Sequence, residues 1–239
     1  MNISTSLICC DLSNISKDLD VIVEHEGFNW LHADFMDGHF VPRYGISPEL
    51  IQALRKRYGN RVMIDSHMMV QDPYTYADVI APYSDWYFLH YEAVIDPVRT
   101  LQMLKKKYPA LKIGITFNLF TSDAVIEQIA DYCVAEYCVG LVDGMMFMGI
   151  SPGVLGTKSF PEIVKHRLEF VNFISPEIKT FVDGSVNYDT LLPYKNAGAY
   201  TVVSGSSAMF KSHPETEGMT REELINFNIN KIKNTISNE

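Results

Sequence analysis

The chain has 239 residues, 47% of them hydrophobic, and a formal net charge of -9. That is enough apolar content for two small domains or one barrel-sized core. The acidity argues against a nucleic-acid partner, because phosphate backbones are held by clustered Lys and Arg, but a small phosphorylated ligand can be held by backbone N–H groups and helix N-termini.

Cys9, Cys10, Cys133 and Cys138 lack Cys-x-x-Cys spacing, so they read as buried, reduced thiols. No basic-then-apolar leader follows Met1, and no run approaches the roughly 20 apolar residues of a membrane span. The expectation is a soluble, cytoplasmic protein with no membrane partner.

Short β-prone runs alternate with amphipathic segments of helix length. Strands are predicted at 3–8, 29–34, 61–67, 85–90, 111–117, 137–142, 178–183 and 200–204. The first carries Ser6 near its end. The second carries His32 and Asp34, which share a face because side chains alternate along a strand, and Met36 follows them. Leu50 to Tyr58 reads as a helix, with Leu50, Ile51 and Leu54 on one face and Arg55, Lys56 and Arg57 in the last turn, where cations suit the macrodipole.

His67 ends the third strand, ahead of Met68 and Met69, while His90 and Glu92 sit at the end of the fourth and Asn118 at the end of the fifth. Val98 to Tyr108, Ser122 to Cys133 and Glu162 to Ile174 read as helices. The connection after the sixth strand is long and carries Met145 to Met148, then Ser151-Pro152-Gly153. A methionine stripe belongs to a core more often than to a cofactor site, yet here it runs into a turn signal and marks the approach to a functional loop. Asp183 ends the seventh strand and Gly205-Ser206 the eighth, and Thr220 with Glu223 predicts a capping box opening a last helix to Ile236. Eight strand–helix units without a linker predict an α/β fold, a (β/α)8 TIM barrel in one domain over residues 1–239.

Catalytic groups of such barrels sit at the C-terminal ends of the strands. A lone histidine there is more often structural, but His32, Asp34, His67 and Asp183 bring metal-type ligands to three strand ends at once. Two imidazoles and two carboxylates suit one divalent ion, with Zn, Fe, Mn and Co all admissible. An aspartate has an ordinary pKa of about 3.9, low for a carbon base. An apolar surround raises it, and Met36, Met68 and Met69 are placed by sequence to supply one. Two aspartates on roughly opposite sides of a barrel would remove a proton from one face of a carbon and return one to the other, which describes epimerisation. The small turns Asp183-Gly184-Ser185 and Gly205-Ser206-Ser207, with Ser151 to Gly156, lie where barrels of this class often hold phosphate, although glycine also serves loop geometry alone.

Over nearly its whole length the chain resembles the ribulose-phosphate 3-epimerase family. Leu31 to Pro42 matches the family's H-x-D-x-M-D-G-x-F-V-P signature. Ile3 to Leu7, Asp65 to Val70, Phe88 to Glu92, Val182 to Gly184 and Val203 to Ser206 look like its other strand ends. The resemblance implies a ribulose-phosphate-binding type of barrel, acting on a ketose phosphate in a homo-oligomer. It implies one divalent metal per subunit on His32, Asp34, His67 and Asp183, with Asp34 and Asp183 as the acid and base that exchange the C3 proton through a 2,3-enediolate. It further implies substrate contacts at Ser6, Met36, His67, Met69, Gly153, Val154, Leu155, Gly156, Asp183, Gly184, Ser185, Gly205 and Ser206.

The match is not complete. Arg43 stands where the family usually has Asn, and the sixth loop has Val154-Leu155-Gly156-Thr157 in place of an aromatic and an amide. Ser185, Ile46-Ser47-Pro48, Asn118 and Ser207 tilt towards the branch acting on D-allulose 6-phosphate/D-fructose 6-phosphate, against D-ribulose 5-phosphate/D-xylulose 5-phosphate. The altered loop also motivates a non-catalytic sugar-phosphate-binding paralogue, and the metal site admits an aldol-type phospho-sugar lyase.

Overall fold

A computed structural model of the protein describes residues 1–134, 140–154 and 158–237. The strands are β1 (Asn2–Ser6), β2 (Trp30–Met36), β3 (Met63–Met69), β4 (Trp86–His90), β5 (Lys112–Phe117), β6 (Gly144–Met148), β7 (Lys179–Asp183) and β8 (Thr201–Ser204). They pair in parallel in sequence order, and β8 returns to β1 through Ser4↔Val203 to close the barrel. The helices outside it are α1 (Ile15–Ile22), α2 (Pro48–Tyr58), α3 (Pro73–Ile80), α4 (Pro97–Lys107), α5 (Asp123–Val134), α6 (Pro161–Ile174), α7 (Tyr188–Asn196) and α8 (Arg221–Ser237). Among the described residues no helix is long and apolar enough to cross a membrane.

Local chemistry explains where the helices begin. Proline opens α2, α3, α4 and α6, where its missing N–H costs nothing and its fixed φ suits the first turn. Asp72 and Asp96 cap α3 and α4 by accepting from the backbone N–H of Thr75 and Arg99 at 3.1 and 3.0 Å. The expected box at Thr220 forms: Glu223 Oε2 accepts from the Thr220 N–H at 2.7 Å, and the Glu223 N–H donates to Thr220 Oγ1 at 3.3 Å.

The lower end of the barrel is plugged by Trp30, Trp86, Phe88, Met146 and Phe181, which form their own buried cluster. The Phe88 and Phe181 rings lie 4.6 Å apart, edge on. Gly114 is needed there, because a Cβ on it would run into the Phe88 ring.

The sixth strand is displaced from its expected position at 137–142. Residues 137–139 lie outside the described set, and β6 occupies Gly144–Met148. The methionine stripe is therefore the strand itself. A parallel strand is covered on both faces and reads as a continuous apolar run: Met145 and Phe147 pack outward under the helices, and Met146 joins the plug. Met68 also faces outward into the barrel–helix core, so it does not surround the aspartates. Cys9 and Cys10 are free thiols, Cys10 buried.

Candidate active site and metal centre

Strand parity and register assemble the site. His32 and Asp34 project inward from β2, and register sets Asp34 beside His67 and His32 beside Asp65 on β3. Asp183 arrives from the end of β7, three strands away round the ring. His32 Nε2 lies 3.1 Å from Asp34 Oδ1 and 3.7 Å from Asp183 Oδ2, while His67 Nδ1 is 3.3 Å from each of those oxygens. All four ligand atoms fall within 4.8 Å of one another. A tetrahedral ion with bonds of about 2.0–2.2 Å needs ligand atoms roughly 3.3–3.6 Å apart, and the four histidine–aspartate separations of 3.1–3.7 Å straddle that range.

A second observation supports a cation. His67 Nδ1 is buried and makes no hydrogen bond of acceptable geometry, although two carboxylate oxygens lie beside it. That leaves a ring nitrogen at the edge of the cluster without a hydrogen-bond partner. The proton affinities show the same field. Burial disfavours the charged His32 ring, but the carboxylates of Asp65, Asp34 and Asp183 outweigh it and hold its pKa well above the ordinary value. Burial pushes Asp34 and Asp183 upward, and the two histidines reverse this and hold both below the usual carboxylate range. The expected apolar rise is thus overridden by positive charge.

Above the cluster opens a cavity of about 240 Å³. Ser6, Asp34, Met36, Met69, Gly153, Val154, Asp183, Gly184, Ser185, Gly205 and Ser206 all line it. His32 and His67 are fully buried beneath. Leu155 and Gly156 lie outside the described residues. Ser6 Oγ donates to Asp34 Oδ2 at 3.3 Å, steadying the oxygen that faces away from the cluster. Gly184 has φ +99, and a Cβ there would meet Ile150 Cγ1 at 2.6 Å; Ser185, with φ +56, is the one non-glycine in the left-handed region among the described residues.

The segment after β2 is held over the cavity by Asp37. Its carboxylate accepts from the N–H groups of His39, Phe40 and Gln71 at 2.8, 2.9 and 2.8 Å. Val41 then packs against Gly153 of the sixth loop, closing one side of the mouth.

The sequence profile described as "Ribulose-phosphate 3 epimerase family" matches residues 2–210 of this chain. The chain belongs to the ribulose-phosphate 3-epimerase family. A cytoplasmic isoform of ribulose-phosphate 3-epimerase from Oryza sativa subsp. japonica is 31% identical, over 89% of each chain. The ribulose-phosphate 3-epimerase of Eremothecium gossypii is 27% identical over 86% of this chain and 84% of its own. Among solved structures, the crystal structure of KGPDC from Streptococcus mutans superposes with a TM-score of 0.69 at 14% identity, covering 98% of both chains; this likeness shows the barrel fold.

Several residues of this family member escaped the sequence reading as site residues. Met148 lines the cavity and supplies the apolar contact expected of Met68; correct placement of β6 would have revealed it by parity. Cys9 and Ile150 also line it, as do Ser207 of the expected phosphate turn and Arg43, a departure from the family pattern. Arg43 has no carboxylate within ion-pair distance among the described residues and is a formal cation on a wall that otherwise carries Asp34 and Asp183. Asp65 is wholly buried, accepts from Ser4 Oγ at 2.5 Å and hydrogen-bonds His32 Nδ1. Its signal was available: it stands two residues before His67 on the same face. Glu92 and Asn118 do not reach the cavity and line a neighbouring depression instead.

Proposed function

We propose that this protein is a divalent-metal epimerase inverting C3 of a ketose phosphate. The observation that carries the reading is the convergence of Asp34 and Asp183, from strands on different sides of the barrel, on one pair of buried histidines at the floor of the cavity. His32 Nε2, Asp34 Oδ1, His67 Nδ1 and Asp183 Oδ2 would hold the ion. When bound, it supplies positive charge beside the ketose oxygens and so lowers the barrier to removing the neighbouring C–H proton.

The chain's own residues do the rest. One aspartate takes the C3 proton and the other delivers a proton to the opposite face, which exchanges the two configurations. Met36, Met69 and Met148 keep the reacting carbons dry. Ser185, Gly205, Ser206 and Ser207 line the cavity with small residues, which suits a phosphate held by backbone N–H groups, and Arg43 adds a guanidinium to the wall.

The names of the curated relatives support the pentose pair D-ribulose 5-phosphate/D-xylulose 5-phosphate. One observation favours a second reading, the hexose pair D-allulose 6-phosphate/D-fructose 6-phosphate: Ser185 brings a side chain to a left-handed position of the phosphate turn. A coupled assay of both ketose phosphates, on protein reconstituted in turn with Zn2+, Fe2+, Mn2+ and Co2+, tests the reading. Turnover with a conserved carbon skeleton supports an epimerase. Carbon–carbon cleavage would make it a lyase, and tight binding without turnover a non-catalytic paralogue.

A cytoplasmic, homo-oligomeric state belongs to the same reading. The rice relative's name supports the location. Exposed Leu12 and Tyr44, 57% and 78% accessible beside a groove with Ile8 and Leu50, support assembly.

A further inference from the structure

The two histidines of the cluster are held from behind in different ways. His32 leans on a carboxylate, Asp65. His67 instead presents its second nitrogen, Nε2, to Nε2 of His90 at 2.8 Å. The two ring planes are within 21° of parallel, but 2.8 Å is far inside the roughly 3.5 Å of face-to-face packing, so the rings meet edge to edge. Two bare imidazole nitrogens repel at this distance, and one proton must lie between them.

The direction of that proton follows from the other atoms. His67 Nδ1 has no hydrogen-bond partner at the cluster, and as a metal ligand it must be deprotonated, so a ring that holds the ion carries its hydrogen on Nε2 and donates to His90. His90 then accepts at Nε2 and carries its own hydrogen on Nδ1. That atom is buried, has no hydrogen bond of acceptable geometry, and has Glu92 Oε2 beside it at 3.5 Å. Glu92 is fixed in turn by the Asn118 N–H at 3.1 Å and by the Thr121 hydroxyl, both from the loop after β5. The face of His90 packs on Phe40, with ring centroids 4.8 Å apart, so the ring cannot readily turn to offer its other nitrogen.

We propose that His90, oriented by Glu92, is a positioning residue that fixes the tautomer of His67, so that Nδ1 is always offered to the divalent cation as a lone pair. This rests on the metal reading above and deepens it. The chain Glu92–His90–His67 gives this ligand a neutral acceptor behind it, where His32 has a charged one, and partners of this kind commonly set metal affinity by about 10- to 100-fold.

The test uses Co2+ alone as the probe, measured by chelator competition and by the visible absorption of the bound ion. His90→Phe keeps an aromatic ring but removes the acceptor, and weakens Co2+ binding by about 10- to 100-fold with shifted bands. His90→Gln restores an acceptor oxygen and recovers most of the affinity, which a merely space-filling role would not produce. In the unmutated protein loaded with Zn2+, nitrogen NMR of labelled histidines shows His67 protonated on Nε2 and coupled to His90 across the hydrogen bond. This measurement stands even where the Phe variant does not fold. A folded His90→Phe protein with unchanged Co2+ affinity and spectrum, or a His90 ring protonated on Nε2, overturns the proposal alone. Failure of the unmutated protein to bind Co2+ or Zn2+ overturns the metal reading and this inference together.

Discussion

His32 and Asp65 sit directly opposite each other on neighbouring strands, both wholly buried, with the imidazole Nδ1 hydrogen-bonded to the carboxylate Oδ1. The ring is thereby turned so that Nε2, and not Nδ1, meets Asp34 and Asp183. Ser4 Oγ occupies the second oxygen of Asp65, so the pair has no freedom to rotate.

Asp65→Asn keeps the shape but removes the charge behind His32. Burial already pushes the Asp65 carboxyl up, against the pull of His32, so the loss falls mainly on the ligand's basicity. Metal affinity is expected to drop about 10- to 100-fold with the barrel intact, read by chelator competition and circular dichroism. Unchanged affinity would show that His32 is oriented by packing alone.

Asp183→Asn removes one of the two aspartates proposed to transfer the proton. Exchange of the substrate C3 hydrogen with deuterated solvent is expected to fall by at least about 10²- to 10⁴-fold. Metal content measured on the same sample separates loss of the base from loss of the ion. Undiminished exchange in a folded variant would remove Asp183 from the chemistry.

Arg43→Gln takes the guanidinium from the cavity wall. A hydrogen bond to a charged group is worth about 1.5–3 kcal/mol, and the partly exposed position of Arg43 sets the expectation at the lower end. KM for the ketose phosphate rises about tenfold and loses part of its salt dependence, with kcat little changed. Identical KM and salt response in both proteins would place Arg43 outside the binding site.

Ser185→Gly relieves a backbone strained by about 1–2 kcal/mol but adds about 0.5–1 kcal/mol of unfolded-chain entropy. The two nearly cancel, so urea stability should move by less than about 1 kcal/mol. What changes is the hydroxyl in the cavity, read as an altered ratio of kcat/KM between pentose and hexose phosphates. A constant ratio would show that Ser185 has no part in choosing chain length.

Phe181→Ala opens a hole among Trp30, Trp86 and Phe88 at the base of the barrel. The cost is expected at about 3–5 kcal/mol in urea unfolding. A loss below about 1 kcal/mol would mean that the surrounding rings collapse into the space.

The cluster of two histidines and two aspartates was legible because it depends on strand parity, and His-x-Asp on β2 needs no knowledge of distant neighbours. The glycine and serine turns were legible for a similar reason, since their positions follow from the strands they terminate. The β6 placement was not, because Val139 to Val142 and Met145 to Met148 are both short apolar runs and periodicity does not choose between them. Met68 was assigned to the site by nearness in sequence, where its odd parity with His67 already turned it outward. The role of Asp65 and the edge-to-edge meeting of His67 and His90 depend on inter-strand register, which a single chain read residue by residue does not contain.

The aromatic plug makes the barrel a cup open at the top, and the four ligand atoms lie at the bottom of that cup. Anything bound in the cavity above covers the way down. On the proposed function, the ion would have to enter before the sugar, and a chelator would strip the protein only between turnovers.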